Sequence, residues 1–271
     1  MTNDELNKIN KGWEKLTTAL YYLGYRKFNA ALKKSIEPLL LVIAESQNYL
    51  VAENFLNSVL YQTQLQIPIQ ETMREFIMTA SNRTANNIAK TYLKFVPKGA
   101  NLGVGFGSAQ FAKDIEDYIK TVGGQHIKDI NDTTLKQIKK AFIDSANEGE
   151  TLKQLSKRIE KYTLGSINDS RRGRSLLIAR TETLMSTARA KQAQIKEFED
   201  LGVEFEKQWV VGRPKQHRAD HLATNGKRVP KDGVFTFSGV KMKYAGDPAG
   251  GAANNCNCRC STVFIAKEEN E

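Results

Sequence analysis

Apolar residues recur every three or four positions through most of the first two hundred residues, and that spacing commits the chain to a mainly helical fold. Leu6, Ile9, Trp13, Leu16 and Leu20 form one such stripe, so residues 4–34 are expected to be helical. Ser35-Ile36-Glu37-Pro38 is expected to interrupt it, with Pro38 in the first turn of a second helix that runs to about residue 61. Pro68 marks a further break before a third helix over 70–92. Pro97 with Gly99, Gly103, Gly105 and Gly107 gives a loop at 96–107 and a candidate boundary. Ser108 can cap a helix through Lys120. Asn131-Asp132-Thr133-Thr134 reads as another start, with Leu135, Ile138, Ala141, Phe142 and Ile143 on one side. Glu148-Gly149-Glu150-Thr151 stops that helix, and 151–162 makes a short one with Leu152, Leu155 and Ile159 inward. Arg171-Arg172-Gly173-Arg174 then leads into a helix of roughly twenty-five residues that ends near Leu201-Gly202. Its apolar positions are Leu177, Ile178, Met185, Ala188, Ala193 and Phe198.

From Val203 the texture changes. Residues 203–211 alternate apolar and polar, which predicts a strand. Residues 216–222 suit a helical turn, 234–240 a short strand and turn, and 258–264 a last strand. The expected fold class is α+β: a mostly helical N-terminal region, then a compact C-terminal domain with a long helix packed on a small sheet. The expected divisions are 1–107, 108–265 and an acidic tail at 266–271.

Composition narrows the function classes. Hydrophobic residues make up 40% and charged residues 26% of the 271, as in a soluble globular chain rather than a disordered one. The longest apolar run, at 39–44, is far too short to span a bilayer. The N-terminus lacks a basic stretch followed by an apolar one, so no secretion signal and no membrane partner is expected. All three cysteines fall within 256–260, which excludes a disulfide scaffold and implies reduced thiols. Formal net charge is +10, and it is uneven. Residues 1–150 hold 18 Lys/Arg against 16 Asp/Glu, and residues 151–271 hold 22 against 14.

Several groups bear on chemistry. Gly103-Val104-Gly105-Phe106-Gly107 lacks the Gly-Lys-Ser/Thr ending of a phosphate loop and follows no strand, so a hinge is expected there. His217 and His221 lie four apart, which on a helix puts both on one face. The sequence between them lacks the glutamate base of a zinc protease. Cys256, Cys258 and Cys260 alternate, so an extended strand would put them on one face. Reduced thiols beside a histidine pair are the right donors for tetrahedral zinc, although the spacing is not that of a standard finger. The expected ligands of such a structural zinc are His217, His221, Cys258 and Cys260. The other reading is buried thiols with one histidine bonded to the loop that holds it.

Arg180 and Glu182, two apart on the long helix, point in different directions, so one of them can reach the Cys/His region. Basic residues are dispersed, among them Lys153, Lys157, Arg158, Lys161, Arg171, Arg172, Arg174, Arg189 and Lys191. At this density they can neutralise phosphates without reading sequence, or form a solvated helix face. The candidates for DNA contact are Arg171, Arg172, Arg174, Lys157 and Arg158.

The order of short motifs is distinctive. Ile178-Ala179-Arg180-Thr181-Glu182 is followed by Trp209, then Arg218-Ala219-Asp220-His221 with Asn225-Gly226. Asp232-Gly233-Val234-Phe235 comes next, then Tyr244-Ala245-Gly246-Asp247-Pro248 and finally Asn257-Cys258-Arg259-Cys260. This series, over about 110–265, resembles the phage Mu F-like head morphogenesis (minor capsid protein) family. The resemblance names Arg180, Glu182, Arg218, His221, Asp247, Asn257, Cys258, Arg259 and Cys260 as signature positions. Ala245 stands where the family often has proline, and His217 and Cys256 are not signature positions. Eleven residues follow Cys260, so the toxin or nuclease domain that some relatives carry there is not expected.

The resemblance implies a non-enzymatic minor head protein of a tailed phage or prophage. It would act inside the virion head after assembly in the host bacterial cytoplasm. Its expected partners are the portal protein, a major capsid or scaffold protein, and double-stranded DNA bound non-specifically. Roles in DNA packaging or ejection follow from the same resemblance. An alternative of another class is a metal-dependent hydrolase or transferase built on the Arg-Thr-Glu and His/Cys cluster.

Overall fold

The computed structural model describes residues 1–97, 108–165, 173–212 and 217–267. The glycine-rich stretch 103–107, Arg171, Arg172 and the end of the acidic tail lie outside the described residues.

Helix α1 spans Asn3–Ser46 and contains Pro38. The break expected at residues 35–38 is therefore absent. A mid-helix proline forfeits one backbone hydrogen bond and crowds the preceding turn, at a cost of about 3 kcal/mol. Ile36, Leu39 and Ile43 are all buried around it, and their burial offsets that cost. The helix stops instead at Gln47, whose φ of 50° is left-handed. Asn48 then caps helix α2, Tyr49–Asn57, by accepting from the backbone N–H groups of Leu50 and Val51. Helix α3, Val59–Tyr92, likewise runs straight through Pro68, with Leu65 and Ile69 buried on either side. A single helix replaces the expected break and restart.

Ser108 accepts from Phe111 N–H and caps helix α4, Ala109–Tyr118. A π-helical turn, Ile119–Gly123, leads into helix α5, Gly124–Asn147. The start expected at 131–134 is mid-helix, and Asn131 and Thr134 are buried there. Ile143, expected inward, is exposed. Gly149, at φ 64°, closes the turn that follows. Thr151 and Gln154 form a capping box on helix α6, Leu152–Leu164. The long helix α7 covers Arg174–Asp200, 27 residues. Leu177 on it is exposed rather than inward.

Strand β1 (Phe205–Val210) lies antiparallel between β2 (Arg228–Pro230) and β5 (Ser261–Ala266). Helix α8 (Ala219–Ala223) precedes β2 in the chain. A separate antiparallel pair is made by β3 (Phe235–Phe237) and β4 (Val240–Met242). Helix α9, Gly251–Asn255, precedes β5 in the chain. The α+β class, with a helical front and a small sheet near the C-terminus, is what the sequence led one to expect.

The chain divides into two compact units that are not consecutive stretches. One comprises residues 1–21, 77–118 and 180–271. In it Ile195 and Phe198 of α7 pack on Phe205 of β1 and on Val263, Phe264 and Ile265 of β5. Tyr92 lies in the same core, and its hydroxyl donates to Phe264 O at 2.6 Å. The other unit comprises residues 22–76 and 119–179. Its core joins Ile36, Leu39, Tyr61 and Leu65 to Ile138, Phe142, Leu155 and Ile159. Among the described residues no helix is long and apolar enough to cross a membrane.

Candidate functional site

The alternation of β1 puts Trp209 on the buried face, where it packs with Phe235, Phe237, Met242, Cys258 and Cys260. His221, on the short helix α8, is 1% exposed and sits against this aromatic floor. Its ring stands edge-on to Trp209, centroids 5.3 Å apart at 86°, and 4.6 Å from Phe237. Cys258 and Cys260 pack in the same cluster, and both are 5% exposed. His221 Nδ1 is 3.6 Å from Cys258 Sγ and 3.5 Å from Cys260 Sγ. The three ligand atoms lie within 4.8 Å of one another.

The cysteines do not reach this position as strand residues, because β5 begins only at Ser261. Asn257, at a left-handed φ of 55°, turns the chain between α9 and the strand. That turn leaves Cys256 exposed while Cys258 and Cys260 point inward. His217 is not part of the cluster. Helix α8 starts at Ala219 with Arg218 as its N-cap, so His217 precedes the helix and the shared face assumed from the spacing does not exist.

The Asn257 turn is fastened from several sides. Thr181 Oγ1 accepts from Asn257 N–H at 3.1 Å, and Arg180 Nη1 donates to Asn257 Oδ1 at 3.2 Å. Arg218 Nη2 donates to Cys256 O at 3.0 Å. Asp247 accepts from the N–H groups of Lys243 and Ala249, and its carbonyl accepts from Asn255 Nδ2 at 2.6 Å. Asn254 Oδ1 is 3.1 Å from His221 Nε2, while Asn254 Nδ2 donates to Gly250 O. That commits Oδ1 to accepting, places the ring proton on Nε2 and leaves the Nδ1 lone pair toward the sulfurs. Glu182 is buried, and its charge adds to burial in raising the Tyr118 phenol. Arg259 is half-buried, and its carbonyl faces Gly212.

The thiols titrate as a pair. Hydrogen bonding from Cys260, with help from His221, lowers Cys258 against the opposing effect of burial. Cys260 is raised because it holds the proton shared with Cys258. Burial pulls His221 down, but its bonds to Cys258 and Asn254 outweigh that and raise it. Two sulfurs beside one imidazole nitrogen are the donor chemistry of a soft cation site.

The basic residues divide sharply. Arg174 donates to Thr134 Oγ1 and Ile130 O, both at 2.7 Å, and burial lowers it to about 10. Arg158 is engaged by Glu148, Glu150 and Tyr162. Both guanidinium groups are held within the fold rather than offered to a phosphate. Lys157 is exposed. Lys191, read from sequence as one of the dispersed surface cations, is 4% exposed. It bonds Ser261 Oγ and Thr262 O and lies 3.7 Å from the Trp13 ring centre, beside a cavity of about 270 Å³. Asn254, Thr181 and Lys191 are the site residues that spacing did not reveal. Asn254 had one available signal, its place next to the cysteine motif.

Residues 136–263 match the family described as Phage Mu protein F like protein. This segment of the chain is Mu F-like. The match begins later than the 110 suggested by the motifs and takes in every signature position. Among curated proteins, the NAD(+)–arginine ADP-ribosyltransferase EFV of Enterococcus faecalis (strain ATCC 700802 / V583) is 28% identical over 134 residues. The shared stretch is 49% of this chain and 26% of that relative. No solved structure matches the chain.

Proposed function

We propose that the protein is a minor head protein of a tailed phage or prophage, held with the portal inside the head and acting in DNA packaging or ejection. The Mu F-like match over residues 136–263 carries this reading. The signature side chains of Arg180 and Arg218 support it, because both are spent on holding one turn in place. Exposed apolar side chains concentrate in the helical front: Tyr22, Leu41, Leu50, Val51, Val59 and Leu60. Apolar surface of this kind suits a protein partner, which we assign as the portal, with capsid or scaffold as the adjoining contact. The excess of basic over acidic residues in 151–271 suits weak, salt-dependent contact with packaged DNA. The test is mass spectrometry of purified procapsids and virions, with portal capture from an infected lysate. The protein in both particles and on the portal is the expected result. Its absence from both particles overturns the proposal.

The match to the ADP-ribosyltransferase favours a second reading, transfer chemistry at the Arg-Thr-Glu segment. That match covers a quarter of the relative, and here Thr181 and Arg180 are occupied by Asn257. Nicotinamide release from NAD+ in the presence of an arginine analogue would sustain this reading, and no release would discard it.

A further inference from the structure

We propose that His221 Nδ1, Cys258 Sγ and Cys260 Sγ bind one zinc ion, with water in the fourth position. The first argument is metric. A tetrahedral zinc with Zn–N of about 2.05 Å and Zn–S of about 2.3 Å holds nitrogen and sulfur about 3.6 Å apart. The two N···S separations here are 3.6 and 3.5 Å. One imidazole lone pair can accept one S–H, so two sulfurs equidistant from a single nitrogen are poorly explained by hydrogen bonding alone. They are the arrangement that a cation at their centre requires.

The second argument is the orientation of the ligand. Asn254 accepts the Nε2 proton and is itself fixed by Gly250 O, so Nδ1 is presented as a lone pair. An outer partner that sets the tautomer of a ligating histidine is a regular feature of metal sites. The third is chemical. Two thiolates and an imidazole are soft donors that select zinc over magnesium or calcium. Trp209 Nε1 is buried with no hydrogen-bond partner among the described residues, and Cys260 packs in the same cluster. A metal-bound thiolate would accept that N–H.

The ligand set differs from the one the spacing suggests. His217 lies outside the cluster and Cys256 is exposed, so neither is a ligand. The ion would join helix α8 to the turn ahead of β5, two segments that are 37 residues apart in the chain. Its role is to close this end of the sheet.

The test is elemental analysis of the full-length protein, purified under reducing conditions without chelator. About one equivalent of zinc is expected in the wild type, in His217→Ala and in Cys256→Ser, and little in Cys258→Ser. Because Cys258→Ser can fail to fold, the wild type carries a second measurement. Chelator-stripped protein is loaded with cobalt(II). A thiolate-to-cobalt charge-transfer band with the intense visible bands of tetrahedral cobalt is expected. Loading should also protect two thiols from a disulfide reagent and leave Cys256 reactive. Wild type without zinc and without the cobalt band overturns the proposal. So does zinc binding that is lost in His217→Ala or Cys256→Ser while those variants remain folded.

Discussion

Lys191→Met should stabilise the protein at neutral and mildly acidic pH, and the gain should shrink as pH rises. Burial lowers the Lys191 amine from the usual 10.5 to about 7. Between those values the unfolded chain binds more protons than the folded one, so wild-type stability rises with pH through that window. Below about pH 7 both states carry the charge, and the folded state bears the full penalty. Roughly three and a half pH units at about 1.4 kcal/mol each amount to about 5 kcal/mol. The Trp13 face, 3.7 Å away, and the bonds to Ser261 and Thr262 favour the charged form. A desolvated cation–π contact returns about 2 kcal/mol, which leaves about 3 kcal/mol. Methionine has similar length and no charge, so it removes the penalty with little repacking. Urea unfolding of both proteins at about pH 6, 7.5 and 9 measures the difference. The variant should lead by about 3 kcal/mol at the lowest pH and by progressively less above neutrality. A difference that stays constant across the range would refute the argument, because Lys191 would then hold its proton throughout.

Two further substitutions test the fold around the site and the second unit. Gly212→Ala would place a methyl carbon 2.3 Å from Arg259 O, so the backbone beside the cysteine turn must move. Thermal unfolding should show a loss of about 2 kcal/mol or more, and an unchanged midpoint would mean that the backbone here yields without cost. Thr151→Ala removes the hydroxyl half of the capping box on α6 and should cost about 1 kcal/mol in urea unfolding. No measurable loss would show that Gln154 and solvent suffice.

The helices were legible because their apolar spacing is repeated many times over, and a single residue cannot undo such a pattern. Pro38 and Pro68 mislead for a related reason. Proline's cost is local and visible in sequence, whereas the burial that offsets it at Ile36, Leu39, Leu65 and Ile69 depends on partners far along the chain. Asn131 and Thr134 look like a helix start by residue type, but they lie buried in the middle of α5. At the site, His221, Cys258 and Cys260 stood out by chemistry. The subset that converges could not be chosen from spacing, because the histidine pair was assumed to share a helix and the cysteines a strand. Neither element extends that far. Lys191 reads as a surface cation because a lysine on a helix is ordinarily solvated, and only the position of Trp13 and β5 makes this one internal.

The motifs that run in order from Arg180 to Cys260 look like separate pieces in sequence, yet most of them end at one turn. Arg180 and Thr181 hold Asn257, and Arg218 holds the carbonyl just before it. His221 meets the two sulfurs on either side of Arg259, and Trp209 lies beneath them. Asp247 binds Asn255, and Asn255 and Asn254 begin the approach to the turn. A turn with a left-handed asparagine and two inward thiols has little stability of its own. It persists because helix α7, helix α8 and strand β1 each contribute a fastening. The order of the motifs is thus the order in which the chain returns to this turn. Such a convergence explains why the signature is spread over eighty residues, and it needs no reaction to account for it.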